Sequence, residues 1–370
     1  MFAKISHLDD LLPHIKDNAN IRVRKEPNGF TIVCYMVQND DLFQNEFQLE
    51  CRGITFSPDG KIAARCLHKF FNVGERQETL ADNIDWFETT RIMPKFDGSM
   101  VTPVLDGDKV IFKTKKTFDS REALFANELV ALSPERTRWI AQAIKLGLTP
   151  TFELTSPRFP IVIAYDKDEL TLLHVREMVS GEYIPAHDIE AMEPPFPVAK
   201  NLIDDFSVNA LVDWHKLKQT ADELTNCEGW VIQFDSGKMV KLKTAWYNKL
   251  HVSVTFTRWR DIAECVLNDS DDDLKAAFVL TGRSIEPIAT VKSRILDQIG
   301  SVKTYVNNVV NFAKNRNYTQ KEVAINNKDD VHFGLIMTTF SGKDVDWFSW
   351  YKKKHLQDWS LEVVNVFSEE

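Results

Sequence analysis

The hydrophobic pattern of this chain changes period near residue 255, and that break constrains the fold more than any other feature. Before it, apolar residues come in short β-branched and aromatic runs. Phe30-Thr31-Ile32-Val33-Cys34-Tyr35-Met36-Val37 reads as a strand. Met100 to Leu105 and Lys109 to Thr114 flank Asp106-Gly107, a hairpin signal. Gly229 to Phe234 and Lys238 to Lys243 flank Asp235-Ser236-Gly237, a second one. A helix opens at Ser133-Pro134-Glu135, with a capping hydroxyl and a first-turn proline, and stops at Gly147. After the break, Ile288, Val291, Ile295, Ile299, Val302, Val306 and Val309 recur at steps of three and four, one face of a helix. The acidic group Asp269, Asp271, Asp272 and Asp273 marks a helix start or an exposed loop. The expected fold is α+β: a largely antiparallel-sheet domain over residues 1–255, then an all-α domain over residues 256–370.

Bulk properties agree with a folded two-domain protein. The chain has 370 residues, 44% of them hydrophobic, enough for a substantial core. Its 27% charged fraction is that of a globular chain rather than a disordered one. No apolar run reaches the roughly 20 residues of a membrane helix, and the first ten residues lack a signal-peptide core. Cys34, Cys51, Cys66, Cys227 and Cys265 are scattered and odd in number, against a disulfide framework or a zinc site. A reducing cytoplasm is therefore expected. The net charge of -9 speaks against a broadly nucleic-acid-binding surface. A local basic groove would suffice for an enzyme of strand ends, and Lys113, Lys115, Lys116, Lys238, Lys241 and Lys243 would form one if they converged.

Lys95-Phe96-Asp97-Gly98-Ser99 is the stretch most suggestive of chemistry. A lysine attacks only after losing its proton, which burial beside other cations makes easier. Taken alone, Asp97-Gly98 is as readily an ordinary turn as a device presenting Lys95 to a phosphate and Asp97 to a ribose or a neighbouring lysine. Lys241 and Lys243 share a strand face, and for that pair alone solvated lysines are the ordinary expectation. Glu153 and Glu228 sit in otherwise apolar strands, where a carboxylate needs a partner: a salt bridge, or a ribose and a hydrated Mg²⁺. Arg52 and Lys69 suit phosphate, though each alone is better read as structural. His68, His174 and His251 stand in apolar contexts and read as satisfied core residues. Trp347, Trp350 and Trp359 read as helix packing more than as base-stacking platforms.

The ordered set carries more than its members. Arg52-Gly53, Lys69-Phe70-Phe71-Asn72, Lys95-x-Asp-Gly-Ser, Glu153, Glu228-Gly229 and Lys241-x-Lys243 resemble the covalent nucleotidyltransferase superfamily. More closely, they resemble the RNA ligase 1 family of T-even bacteriophages, as do Ser156-Pro157, Ile161 to Tyr165 and Trp246-Tyr247. The likeness covers residues 30 to 255. It implies an ATP-dependent ligase that joins RNA 5′-phosphate and 3′-hydroxyl ends, with nicked tRNA in a phage-infected bacterial cytoplasm as the substrate. It implies Lys95 as the adenylylated nucleophile, Lys241 and Lys243 on the α-phosphate, and Arg52 and Lys69 on the β- and γ-phosphates. Asp97, Gly98, Lys115 and Glu153 would complete the nucleotide site and Glu228 would face the metal, Mg²⁺ with Mn²⁺ as a substitute. The first domain would then be the adenylyltransferase and the helical domain the selector of RNA, in a monomer free of membranes. A helical tail disfavours the alternatives on the same core, a DNA ligase or capping enzyme with a terminal β-barrel. A non-catalytic RNA-binding protein is the other alternative.

Overall fold

A computed structural model of the chain describes residues 2–36, 43–159, 161–208, 211–248, 258–280 and 284–360. The chain divides into two compact units, residues 1–251 and 252–370. His251 and the expected 255/256 boundary lie outside the described residues.

Fourteen described strands run through the first unit. They are β1 (Ile21–Lys25), β2 (Thr31–Tyr35), β3 (Arg52–Phe56), β4 (Ile62–Ala64), β5 (Phe71–Asn72), β6 (Thr89–Lys95), β7 (Ser99–Asp106), β8 (Lys109–Lys113), β9 (Leu148–Thr155), β10 (Glu169–Glu177), β11 (Ser207–Val208), β12 (Leu211–Val212), β13 (Gly229–Phe234) and β14 (Met239–Lys243). They form sheets ordered β1-β2-β3-β4, β10-β9-β7-β8, β5-β14-β13-β6 and a β11-β12 ribbon. Pairing is antiparallel except for β5 beside β14. Both hairpins stand where the turn residues place them. The helices are α1 (Leu8–Ile15), α2 (Glu46–Glu50), α3 (Arg121–Ala131), α4 (Pro134–Lys145), α5 (Ala186–Ala191) and α6 (Trp214–Glu223). The Ser133 hydroxyl accepts the Arg136 N–H at the start of α4, and Gly147 takes a left-handed φ of 78° just past its end.

The β5-β14-β13-β6 sheet positions the site, because its two faces differ. One face buries Ile92, Trp230, Ile232, Val240 and Leu242 against Leu217 and Ala221 of α6. The other carries Met93, Val231 and Met239 against Leu67, Phe70 and Leu173, and ends in lysines. Elsewhere the core contains a charged knot. Glu50 accepts from Arg65 Nε (3.1 Å) and Nη2 (2.9 Å) and from Arg176 Nη1 (2.8 Å) and Nη2 (2.7 Å), all three side chains being buried. The two guanidinium groups hold the Glu50 carboxyl down to about 2 against the opposing effect of burial. Their remaining donors reach the carbonyls of Ala3, Cys66, Val179 and Gly181, tying distant segments together. His68 and His174 are buried, as expected, but His174 is not fully satisfied, since its Nε2 has no hydrogen-bond partner. His68 lies beside the Tyr183 hydroxyl (2.8 Å), and burial pushes its imidazole down to about 3.

The described residues of the second unit form helices and no strand: α7 (Trp259–Leu267), α8 (Asp271–Leu280), α9 (Glu286–Asn315), α10 (Gln320–Asn327), α11 (Phe333–Phe340) and α12 (Trp347–His355). Ile288, Val291, Ile295, Ile299 and Val306 line the buried face of α9, as their spacing predicts. The acidic group does start a helix, but Asp271 points inward and pairs with buried Lys292 at 2.7 Å. Trp347 and Trp350 pack against the core of α9 to α11, and Trp359 is buried.

Candidate active site

Lys95 ends β6, pairs with Gly229 of β13, and Gly229 pairs in turn with Lys243 of β14. Directly opposed residues of antiparallel strands share a face. Lys95 and Lys243 therefore project to the same side with only a hydrogen atom between them. The glycine is required there: its φ is 143°, and a Cβ would stand 2.0 Å from the Leu242 carbonyl oxygen. Glu228, the preceding residue, fills the space. Its Oε1 lies 2.7 Å from Lys95 Nζ and 3.1 Å from Lys243 Nζ. Glu228 Oε2 is buried and has no hydrogen-bond partner. Lys241 stands two residues along β14, beside Asn72 of β5. The expectation of solvated strand lysines fails: Lys241 and Lys243 are 8% and 5% exposed.

The Asp97-Gly98 turn joins β6 to β7 and presses against β9. A Cβ on Gly98 would sit 2.4 Å from the Leu154 carbonyl oxygen and 3.1 Å from Glu153 Cγ. Asp97 is buried, and protein donors engage both its oxygens. Val162 N and Ile163 N donate to Oδ2 (2.7 and 2.6 Å), and the Tyr247 hydroxyl donates to Oδ1 (2.8 Å). The Asp97 N–H donates to the Tyr165 hydroxyl (3.0 Å). These contacts make Asp97 a knot between three chain segments, a role that the reading of it as a ribose or lysine contact did not include. Glu153, on β9 opposite Met100, lies within the electrostatic reach of Lys95, Glu228, Arg52 and Asp97. Burial pushes its carboxyl up to about 8, against the pull of Lys95.

Arg52 opens β3, and its guanidinium lies 5.2 Å from the Phe70 ring centroid. Its Nη1 is buried without a hydrogen-bond partner. Lys69, the neighbour of Phe70, is buried among rings: Nζ is 4.9 Å from Phe71 and 5.9 Å from both Tyr35 and Phe43. Lys115 Nζ stands 4.5 Å over Tyr35.

Two of the six lysines proposed for a basic groove do not join it. Lys113 is fully buried and donates to the Gly53 carbonyl at 2.6 Å, a strut under the Arg52 backbone. Lys238 begins β14's return at the opposite end from Lys243, in the hairpin turn. The sequence reading also missed residues that the structure brings in: Tyr165 and Tyr247 as partners of Asp97, and Arg76, whose guanidinium lies 4.1 Å from the Phe71 centroid. Arg76 sits in a loop, where no periodicity points to it.

The arrangement places an amine beside converging cations, an unpartnered guanidinium nitrogen and an unpartnered carboxylate oxygen. Such a set suits attack on a phosphoryl group whose charge the cations would take up. The family model described as RNA ligase matches residues 50–247, the stretch that supplies this site. A Thermovibrio ammonificans protein named "Putative RNA ligase" is 28% identical over 302 residues, covering 79% of this chain and 76% of that protein. RNA ligase 1 of Bacteriophage TS2126 is 26% identical over 262 residues, covering 66% of this chain and 62% of that one. Among solved structures, an archaeal ATP-dependent RNA ligase covers 79% of each chain at 13% identity and a TM-score of 0.44. With the family model spanning more than half of its length, the chain belongs to the RNA ligase family.

Proposed function

We propose that the protein is an ATP-dependent RNA ligase that works through a covalent adenylate on Lys95. The Lys95–Glu228–Lys243 contact across Gly229 carries the reading, because it sets an amine beside fixed cations in a half-buried site. The Lys95 amine attacks the α-phosphorus of ATP. A P–N bond forms, the bond to the bridging oxygen breaks, pyrophosphate leaves with that electron pair, and the lysine gives up a proton. The RNA 5′-phosphate then displaces the lysine and takes the AMP. Finally the 3′-hydroxyl of the other end attacks that 5′-phosphate and AMP leaves.

Lys241 and Lys243 hold the α-phosphate, and Arg52, Lys69 and Lys115 the phosphates beyond it. Glu153, neutral at pH 7, contacts the ribose as a hydrogen-bond donor. Asp97 fixes the turn that follows Lys95 rather than touching the nucleotide, and Gly98 allows that turn its close approach to β9. A hydrated Mg²⁺ fits Glu228, whose Oε2 is buried and unpartnered. No group of three or more metal-ligating side chains occurs among the described residues, in keeping with an ion held largely by water and phosphate. The ion would screen phosphate charge there. The first domain carries the chemistry, and the helical domain selects the RNA, a nicked tRNA in a phage-infected cell. The likeness to a phage RNA ligase supports that setting.

Incubation with α-labelled ATP and Mg²⁺, followed by a denaturing gel, tests the core of the reading. Wild-type protein acquires label and Lys95→Ala does not. Lys95→Arg also stays unlabelled, since arginine keeps its proton. Equal labelling of wild type and Lys95→Ala would sink the assignment.

A further inference from the structure

Three cations gather around three shared aromatic rings beside β5. Lys69 and Arg76 share Phe71, at 4.9 and 4.1 Å from its centroid. The same two share Phe43, at 5.9 and 6.0 Å. Lys69 and Lys115 share Tyr35, at 5.9 and 4.5 Å. Each ring face attracts a cation without supplying a countercharge, so the rings can bring like charges together. Two of these cations were expected from the sequence. Arg76 was not, and its backbone is fixed for the purpose. The Thr79 N–H donates to the Arg76 carbonyl (3.0 Å), and the Arg76 N–H donates to the Thr79 hydroxyl (2.9 Å). A planar guanidinium can bridge two phosphate oxygens where an ammonium offers a point charge.

Across β6-β13-β14-β5, Lys95 lies at one edge, Lys241 and Lys243 come next but one, and the strand holding Phe71 lies at the other edge. Neighbouring strands are about 4.8 Å apart. Phe71 pairs with Val240 and so turns its ring to the face opposite Lys241 and Lys243; the cluster is tied to the nucleotide site through Lys69 and Lys115, assigned above to the phosphates beyond the α-phosphate. In phosphoryl transfer the nucleophile and the leaving group lie roughly in line through phosphorus. The cations assigned to the phosphates beyond the α-phosphate are those the departing pyrophosphate meets, and Arg76 shares the Phe71 and Phe43 rings with one of them, Lys69.

Resting on the adenylation reading above, we infer that Arg76 is a leaving-group residue. With Lys69 and Lys115 it binds the pyrophosphate released when Lys95 is adenylylated, and so acts on that step and on its reversal more than on sealing.

The test uses the full chain, with inorganic pyrophosphate as the probe. Labelled lysyl-AMP protein is mixed with pyrophosphate, and loss of label is followed against its concentration. Arg76→Ala should require at least tenfold more pyrophosphate for half-maximal reversal, with Arg76→Lys in between. The rate of lysyl-AMP formation at low ATP should fall at least tenfold more than the sealing of RNA that already carries a 5′-adenylate. Wild-type pyrophosphate dependence in Arg76→Ala would overturn the inference while leaving the adenylation reading intact. An equal fall in both reactions would make Arg76 merely structural. Absence of lysyl-AMP in the wild type would overturn the adenylation reading, and this inference with it.

Discussion

Replacing Glu153 by glutamine should stabilise the protein, and the gain should grow with pH. Burial lifts the Glu153 carboxyl from 4.5 to about 8. Between those values the folded protein holds a proton that the unfolded chain has released. Stability attributable to this group therefore falls as pH rises through the window, by at most about 1.4 kcal/mol per pH unit. The full window sets a ceiling of roughly 5 kcal/mol. Solvent reaches part of the half-buried side chain, and the screening that weakens exposed charges applies, so about 2 kcal/mol at pH 8 is the working figure. Glutamine keeps the shape and the donor of the neutral acid but has no proton to lose. Urea unfolding of wild type and Glu153→Gln at pH 5, 6, 7 and 8 reads the difference directly. The two should nearly coincide at pH 5 and diverge steadily to pH 8. A constant difference at every pH, or one that shrinks as pH rises, would refute the claim that Glu153 is carried as a neutral acid. The label assay adds a functional arm: wild-type lysyl-AMP formation should lose a Glu153-dependent component above pH 8, and Glu153→Gln should not show that loss.

Three further predictions follow from other parts of the molecule. Because Lys241 and Lys243 are buried, methionine, which preserves length, is the informative substitution; either variant should slow lysyl-AMP formation on the order of a hundredfold, and rates within a few-fold of wild type would remove them from the α-phosphate. Glu50→Gln strands two buried guanidinium charges and should cost roughly 3–5 kcal/mol in urea titrations at pH 7. In the wild type that stabilisation is present above pH 4.5 and is lost as pH falls toward 2, so a gap that stays constant down to pH 3 would count against the paired knot. A chain ending at Val254 should still form lysyl-AMP but lose its preference for a nicked tRNA stem-loop over plain single-stranded RNA; an unchanged ratio of the two sealing rates would rule out a selecting tail.

Local features were legible in the sequence and long-range ones were not. Asp106-Gly107 and Asp235-Ser236-Gly237 mark their hairpins because a turn is decided by its own few residues. The three-to-four spacing from Ile288 to Val309 marks α9 for the same reason. The Lys95–Gly229–Lys243 row was not legible, since register between distant strands depends on the whole sheet. Nor did Lys113 differ in its text from Lys115 or Lys116, although its side chain is a buried strut that donates to the Gly53 carbonyl, 60 positions away. The engagement of Asp97 was hidden because its partners Val162, Ile163 and Tyr247 stand far along the chain.

That separation bears on how the protein is made. Asp97 and Tyr247, joined by one hydrogen bond, are 150 positions apart. A ribosome delivers Lys95 well before it delivers β13 and β14, and ATP surrounds the nascent chain throughout. Until Glu228, Gly229 and Lys243 arrive, Lys95 lacks the carboxylate and the second amine that line up with it across β13 and β14. If Lys95 is the adenylylated residue, the order of synthesis acts as a safety catch: the last strands of the first unit arm the enzyme, and a chain ending before them should form no lysyl-AMP.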